Sequence, residues 1–293
     1  MTNKLLLILA DLHGGHKLGL LRPGTMVWGE NAAGEEIEVE LTLNPLQEFL
    51  YDTYRESLEW VYRLAAGRQI IVKVNGDVTQ GKKYPREWVS TRESDQFAIA
   101  TGFLNMVLEV PGVERLDFVI GTGSHEFEEG SAPLMLTKML QPTTSIPVSV
   151  SNHALIEVNG VVFDIAHHGP PPGSRRWLEG NGLRWYTNDI QQRELDLDRR
   201  PPDWVIRSHY HTAAEATSDY RKGTTFHKTG GILTPGMTGL DAYGRQATRY
   251  PVIEDDVWIG ANCVLLDGAL LRRGCVVGAG SLVRGELPAY SVN

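Results

Sequence analysis

The chain has 293 residues, of which 42% are hydrophobic and 22% charged, and its formal net charge is −8. Those proportions describe a globular protein with a sizeable core. The acidic balance argues against broad electrostatic binding to nucleic acid or to anionic membrane. Two cysteines, Cys263 and Cys275, are too few for a disulfide framework in a chain this long and point to a reducing cytoplasm.

The first expected element is a strand over Lys4–Ala10. A secretory signal core needs about 7–15 apolar residues and a small-residue cleavage site. Here the run is shorter, and Asp11 and His13 stand where that site belongs. No run approaches the roughly 20 apolar residues of a membrane helix. Continuous apolar character fits a strand buried on both faces. Residues 22–43 read as a hairpin around Asn31-Ala32-Ala33-Gly34, with Ile37, Val39 and Leu41 alternating with glutamates. The spacing then predicts a helix from Asn44 to Gly67. Asn44 is its cap, Pro45 its first residue, Gln47 sits at the capping-box distance, and Leu46, Leu50, Tyr54, Leu58, Val61 and Ala65 form its stripe.

From here a pattern recurs. The strand QIIVKV (69–74) runs into Asn75-Gly76-Asp77. After a helix around Phe97–Leu108, LDFVI (116–120) runs into Gly121-Thr122-Gly123-Ser124-His125-Glu126. The hairpin ALIEVNGVVFDIA (154–166), turning at Asn159-Gly160, runs into His167-His168-Gly169. After a helix around Asn188–Leu197, DWVIR (203–207) runs into Ser208-His209-Tyr210-His211. With Asp11-Leu12-His13, every one of these strands ends in aspartate, histidine or both. In α/β sheets the ligand site lies beyond the carboxyl ends of the strands. Aspartate and histidine are ligands for zinc, manganese or iron, and a carboxylate can bridge two ions.

In this order the blocks DLH, GD, GSHE, HHG and SHYH resemble the calcineurin-like metallophosphoesterases over residues 4–250. The resemblance implies an α/β fold, a four-layer α/β/β/α sandwich, and two divalent ions (Mn, Zn, Fe or Ni). It makes Asp11, His13 and His211 ligands of one ion, Asp77 the bridge, and His168 and His209 ligands of the second. His168 is preferred to His167 because it directly precedes glycine. His125 becomes the residue that contacts the scissile phosphate and helps protonate the leaving group. Ser124 stands where the family has an asparagine ligand; a bound water, Thr122 or Glu126 are the alternatives for that place. Arg175, Arg176, Lys82 and Lys83 are candidates for binding substrate phosphate.

The implied reaction is hydrolysis of a phosphodiester by a hydroxide formed on two ions. A nucleotide or nucleic acid enters only as substrate, no membrane partner is expected, and a phosphomonoesterase or protein phosphatase is the runner-up. From Pro251 the character changes. Ile253, Ile259, Leu265, Leu271, Val277 and Val283 recur every six residues, and the mostly small Val257, Cys263, Ala269, Cys275, Ser281 and Leu287 recur in step. Residues 251–293 resemble the hexapeptide repeat of left-handed β-helix acyltransferases, and imply a short β-helix domain after a first domain over 1–250. Acyl transfer is disfavoured because no histidine follows His227. Packing or homo-oligomerisation is the expected role of the repeat.

Overall fold

The computed structural model describes residues 3–90, 92–128, 130–173, 178, 180–222, 225–234, 236, 252–260, 264–265, 269–278, 281–283 and 285–292. Two compact units emerge, Met1–Arg245 and Gln246–Asn293. The boundary expected at Tyr250 lies outside the described residues.

In the first unit the opening apolar run forms β1 (Leu5–Leu9), half-buried along its length. It lies at the edge of its sheet, which is why the expected burial on both faces is incomplete. The insertion after it is an antiparallel hairpin, β2 (Met26–Glu30) with β3 (Glu36–Glu40), pairing Val27 with Val39. Helix α1 (Pro45–Ala65) begins where the Asn44 side chain accepts from the amides of Leu46 and Gln47, while the Gln47 side chain accepts from Asn44 N. Its buried face is Gln47, Leu50, Tyr54, Leu58, Val61 and Ala65. Left-handed turns at Ala66 and Gly67 end it.

Next come β4 (Ile70–Asn75), α2 (Glu93–Leu108), β5 (Val113–Val119), α3 (Ser131–Leu140) and β6 (Val148–Ser151). Sequence reading misses α3 and β6 for local reasons. No side chain caps α3, which carries Pro133 in its first turn and leaves Leu134, Met135 and Met139 exposed. The short edge strand β6 alternates valine with serine. Strands β1, β4, β5 and β6 form one parallel sheet in the order β1-β4-β5-β6, with β4 fully buried inside it.

A second sheet is built from the expected hairpin β7 (Ala154–Val158) and β8 (Val161–Ile165), then, after α4 (Asn181–Asp196), from β9 (Trp204–Arg207), β10 (Ala214–Lys222) and β11 (Thr225–Leu233). Its order is β10-β11-β9-β8-β7, and β9 runs parallel to both neighbours. Helix α4 packs on β10 and β11. A Cβ added at Gly231 would meet Thr187 Oγ1 at 2.4 Å, so glycine sets how closely helix and strand approach.

Two cores hold this unit. Tyr54, Leu58, Phe103, Leu136 and Leu140 pack with Ile70, Val72, Val74 and Phe118. Leu6, Ile8, Val119, Ala154, Ile165 and Ile206 make a smaller core that joins the two sheets. Each fully buried Leu, Ile or Phe contributes about 1.5–3 kcal/mol. The result is a mixed α/β unit. Among the described residues no helix is long and apolar enough to cross a membrane.

The second unit consists of two-residue strands: β12 (Val252–Ile253), β13 (Trp258–Ile259), β14 (Val264–Leu265), β15 (Leu270–Leu271), β16 (Val276–Val277), β17 (Leu282–Val283) and β18 (Glu286–Leu287). Val252 pairs with Leu270, Trp258 with Val276 and Val264 with Leu282, all parallel, so each strand stacks on the one three hexads later. Ala269, Leu271, Cys275, Val277 and Val283 are buried together with Val257, Ile259 and Leu287 beside them, as the six-residue period requires. Cys263 lies outside the described residues.

Candidate metal centre

Strands β1, β4 and β5 of the first sheet and β8 and β9 of the second all deliver polar residues just past their carboxyl ends. Asp11 and His13 follow β1, Asp77 follows β4, Thr122, His125 and Glu126 follow β5, His167 and His168 follow β8, and His209 and His211 follow β9. The backbone turns sharply at five of these positions: φ is 51° at Asp11, 44° at His13, 50° at Asp77, 78° at His209 and 52° at His211. Aspartate and histidine tolerate this left-handed region better than most residues, yet it costs on the order of 1–3 kcal/mol each and persists only where the surroundings enforce it. Here they do. Asp11 N donates to Gly76 O at 3.1 Å, His13 N to Asp77 O at 3.0 Å, and Gly14 N to Val78 O at 2.8 Å, lacing the first loop to the second.

Ligand atoms gather in overlapping groups. Asp11, His13 and His211 present one set within 4.8 Å of one another, and His167, His168 and His209 present another. Asp11, Asp77 and His167 form a buried set between them, and His13, Asp77 and His125 a fourth. His211 Nε2 is 3.3 Å from Asp11 Oδ1 and 3.1 Å from His13 Nε2. His167 Nε2 is 3.1 Å from Asp77 Oδ2 and 4.0 Å from Asp11 Oδ1. His209 Nδ1 is 3.8 Å from Asp77 Oδ2. Close packing of glycine makes this possible. A Cβ at Gly121 would stand 2.4 Å from Asp77 Oδ1, and one at Gly76 would stand 2.2 Å from His167 Nδ1.

Outer hydrogen bonds orient the rings. His13 Nδ1 pairs with Gln80 Oε1 at 2.9 Å, His167 Nδ1 with Asn75 O at 2.8 Å, and His125 Nδ1 with Gln80 O at 2.8 Å. An oxygen acceptor on Nδ1 keeps the proton there and leaves Nε2 with its lone pair toward the cluster. Asp77 is held from both sides: its Oδ1 accepts from Thr122 N at 2.6 Å, and its N donates to Glu126 Oε1 at 3.0 Å. Asp11 Oδ2 accepts from His209 N at 3.2 Å, while the buried Oδ1 accepts no hydrogen bond among the described residues. Imidazole nitrogens facing one another around two buried carboxylates, one with an oxygen that accepts no hydrogen bond among the described residues, fit a divalent cation better than they fit each other.

Titration follows the same geometry. Burial, then the neighbouring His125 and His211, holds His13 well below the ordinary histidine range. For Asp77, burial opposes the charge, but hydrogen bonds from His167 and His209 outweigh it and hold the carboxyl well below its usual value. Burial also opposes charge on His167, yet its bond to Asp77 and the nearby carboxylates raise it to about 9. Glu126 is pushed up to about 8, chiefly by burial. His168 is lowered by burial and by His167 and His209.

Asp11, His13, Asp77, His209 and His211 are therefore brought together, with His125 stacked edge-on against His13 at 4.5 Å between ring centres. His168 lies on the half-exposed rim. It is His167, passed over in the sequence for its neighbour, that points into the cluster and meets Asp77. Ser124 is elsewhere: it lines a cavity of about 500 Å³ with Lys82, Lys83, Gly123, Phe127 and Glu128. Lys82 is paired with Glu93 across this cavity's margin. Arg175 and Arg176 lie outside the described residues.

Comparison with known proteins gives a different kind of information. The bacterial transferase hexapeptide family (six repeats) matches residues 250–285. Curated relatives include the 2,3,4,5-tetrahydropyridine-2,6-dicarboxylate N-acetyltransferases of Staphylococcus aureus strains JH9 and Newman. Each is 49% identical over 41 residues, which is 14% of this chain and 17% of the relative, so the chain spans under a fifth of their length. Among solved structures, the protein of unknown function AQ665 from Aquifex aeolicus aligns with a TM-score of 0.31 and 11% identity, over 71% of this chain and 79% of that one.

These matches correct the reaction expected from the sequence. Phosphodiester hydrolysis, with its phosphomonoesterase and protein-phosphatase variants and the hydrolase class as a whole, is overturned. Over residues 250–285 the chain is similar to transferases, which backs the acyltransferase alternative better than the hydrolase reading. The physical reason is plain in the chain. The matched residues are those whose six-residue period is complete, whereas the ligand blocks are short and widely spaced, and short blocks specify ligands rather than a reaction.

Proposed function

We propose that the first unit is a divalent-metal-binding domain with two adjacent ion sites. Asp11, His13 and His211 would hold one ion, His167 and His209 the other, with His168 on its open side and Asp77 between them. His125 lies beside the first site as a further nitrogen donor or proton carrier. A single observation carries this reading: two sets of ligand atoms, Asp11 with His13 and His211 and His167 with His168 and His209, each within 4.8 Å, are linked by a third, buried set of Asp11, Asp77 and His167. Manganese, zinc, iron and nickel all suit a mixed imidazole and carboxylate set. Bound ions would supply Lewis-acid charge at the mouth of the two sheets. The chain's own part is to fix the tautomers through Gln80 and Asn75 and to keep the Asp77 carboxylate ionised. For the scaffold, two joined sheets with helices packed on their other faces support a four-layer α/β/β/α sandwich over residues 1–250. The test is ion stoichiometry by mass spectrometry after chelation and reloading. Two ions per chain are expected; none would end the proposal.

A second reading concerns residues 251–293. The match to transferase repeats supports an acyltransferase-type β-helix segment, which in such proteins often mediates oligomerisation. Since no histidine follows His227, the segment would offer a wall for an acyl donor or for another chain, and a base would have to come from elsewhere. Incubation with acetyl-coenzyme A and 2,3,4,5-tetrahydropyridine-2,6-dicarboxylate tests it directly; absence of acetylated product with both ions loaded counts against it. Cys275, buried in the apolar core of the repeat, supports a reducing, cytoplasmic setting.

A further inference from the structure

The second cluster of donors surrounds a hydroxyl. Thr122 Oγ1 lies 3.3 Å from His167 Nε2, 3.4 Å from His168 Nε2 and 3.1 Å from His209 Nδ1. Four ligands at the usual zinc–nitrogen length of about 2.0–2.1 Å, placed tetrahedrally, are separated from one another by about 3.3–3.4 Å. The three distances from Thr122 match the edges of such a tetrahedron, and the three imidazole nitrogens are themselves grouped within 4.8 Å. The position of the hydroxyl is not accidental. Thr122 N donates to Asp77 Oδ1, and Thr122 O accepts from the amides of His125 at 2.9 Å and Glu126 at 3.0 Å, so the carboxylate and the turn after β5 fix this residue from both ends. Two residues further on, the Ser124 side chain belongs to the cavity lined by Lys82 and Lys83, and no described hydrogen bond joins it to the histidines.

We propose that the Thr122 hydroxyl completes the donor set of the second ion, together with His167, His168 and His209, and that Ser124 takes no part in it. This rests on the two-ion reading above. A neutral hydroxyl is a weaker donor than an amide carbonyl, so the second ion should be the more loosely held of the two and the more sensitive to this one residue.

The test uses full-length protein stripped with a chelator and titrated with Co²⁺. The visible absorption band of the bound ion and the ion count by mass spectrometry are followed together. Wild type is expected to take up two ions, the second more weakly. Thr122→Val keeps the shape and removes the oxygen. It should raise the dissociation constant of the second ion by about tenfold or more and alter its band. Thr122→Ser should restore both, and Ser124→Ala should match wild type. Weakening in Ser124→Ala with Thr122→Val unchanged would overturn the assignment. So would equal weakening in Thr122→Val and in Thr122→Ser, which keeps the hydroxyl; that result would trace the effect to the packing of this side chain rather than to its oxygen. Wild type taking up no Co²⁺ would overturn the two-ion reading itself, and this assignment with it.

Discussion

The strand-end loops of the first unit and the coil of the second solve opposite problems. In the coil, burial is apolar and repetitive: Ala269, Leu271, Cys275, Val277 and Val283 fill one core, and each strand pairs with another three hexads away. At the strand ends, burial is polar and unrepeated: Asp11, Asp77 and His167 are almost wholly enclosed, and each comes from a different strand. The coil needs no partner to justify its interior, because removing apolar surface from water is sufficient. The loops enclose carboxylates and imidazoles, which cost several kcal/mol unless something compensates them. An interior that is unfavourable on its own terms marks function; one that is favourable marks architecture.

The strongest way to break that contrast is Asp77→Asn. Asparagine tolerates the left-handed backbone of residue 77 and keeps the shape, so only the charge between the ion sites is lost. Both ions should be lost or weakened by about 100-fold or more, read by equilibrium dialysis. Retention of two tightly bound ions would show that the buried carboxylate is structural.

A matching cut in the coil is Leu271→Ala. Leu271 is fully buried, and its truncation should cost the second unit about 2–5 kcal/mol. Hydrogen exchange over residues 252–292 should accelerate while ion stoichiometry at the first unit stays at wild-type level. A fall in stoichiometry would show that the two interiors are energetically coupled.

A finer measure comes from protons. With the folded value of His167 raised to about 9, its ring in chelated protein is protonated at pH 7 and must give up that proton to coordinate an ion. Raising the pH from 7 towards 9 removes this competition, so ion affinity should rise. Calorimetry at pH 7 in buffers of different ionisation enthalpy should register about one proton released per chain. No release, with affinity flat between pH 7 and 9, would remove His167 from the donor set.

The smallest expected effect is at the Asn44 cap. Asn44→Ala leaves the first amides of α1 without their acceptor and should lower the stability of the first unit by about 1 kcal/mol. Denaturant midpoints read this, and ion affinity should not change. A loss of several kcal/mol would mean that the bond from Asn44 Nδ2 to Lys17 O ties the helix start to the first loop more firmly than a cap does.

Much of the first unit was legible where local chemistry acted alone. Asn44-Pro45 with Gln47 marked the start of α1, Asn159-Gly160 marked the turn between β7 and β8, and the β-branched run at 70–72 marked β4. Helix α3 and the hairpin of β10 with β11 were not legible. The one lacks a side-chain cap, and the other turns inward only the small Ala214, Ala216 and Ser218, among the described residues of the strand against which α4 packs. The reaction was not legible either, and the expectation of a phosphodiester hydrolase gave way to similarity with transferases.

By itself the amino-acid sequence determined which residues stand at the strand ends and that the last segment repeats every six residues. Both are short-range facts, set by a strand's length and a coil's period. Only the tertiary structure decided that His167 rather than His168 faces Asp77, that Thr122 rather than Ser124 stands among the histidines, and that Gln80 and Asn75 choose their tautomers. Those choices rest on contacts between segments 45 to 92 positions apart. One residue of offset after a strand moves a side chain from beside the buried carboxylates to the exposed side of the cluster, and only the packing of the opposite loop selects between the two.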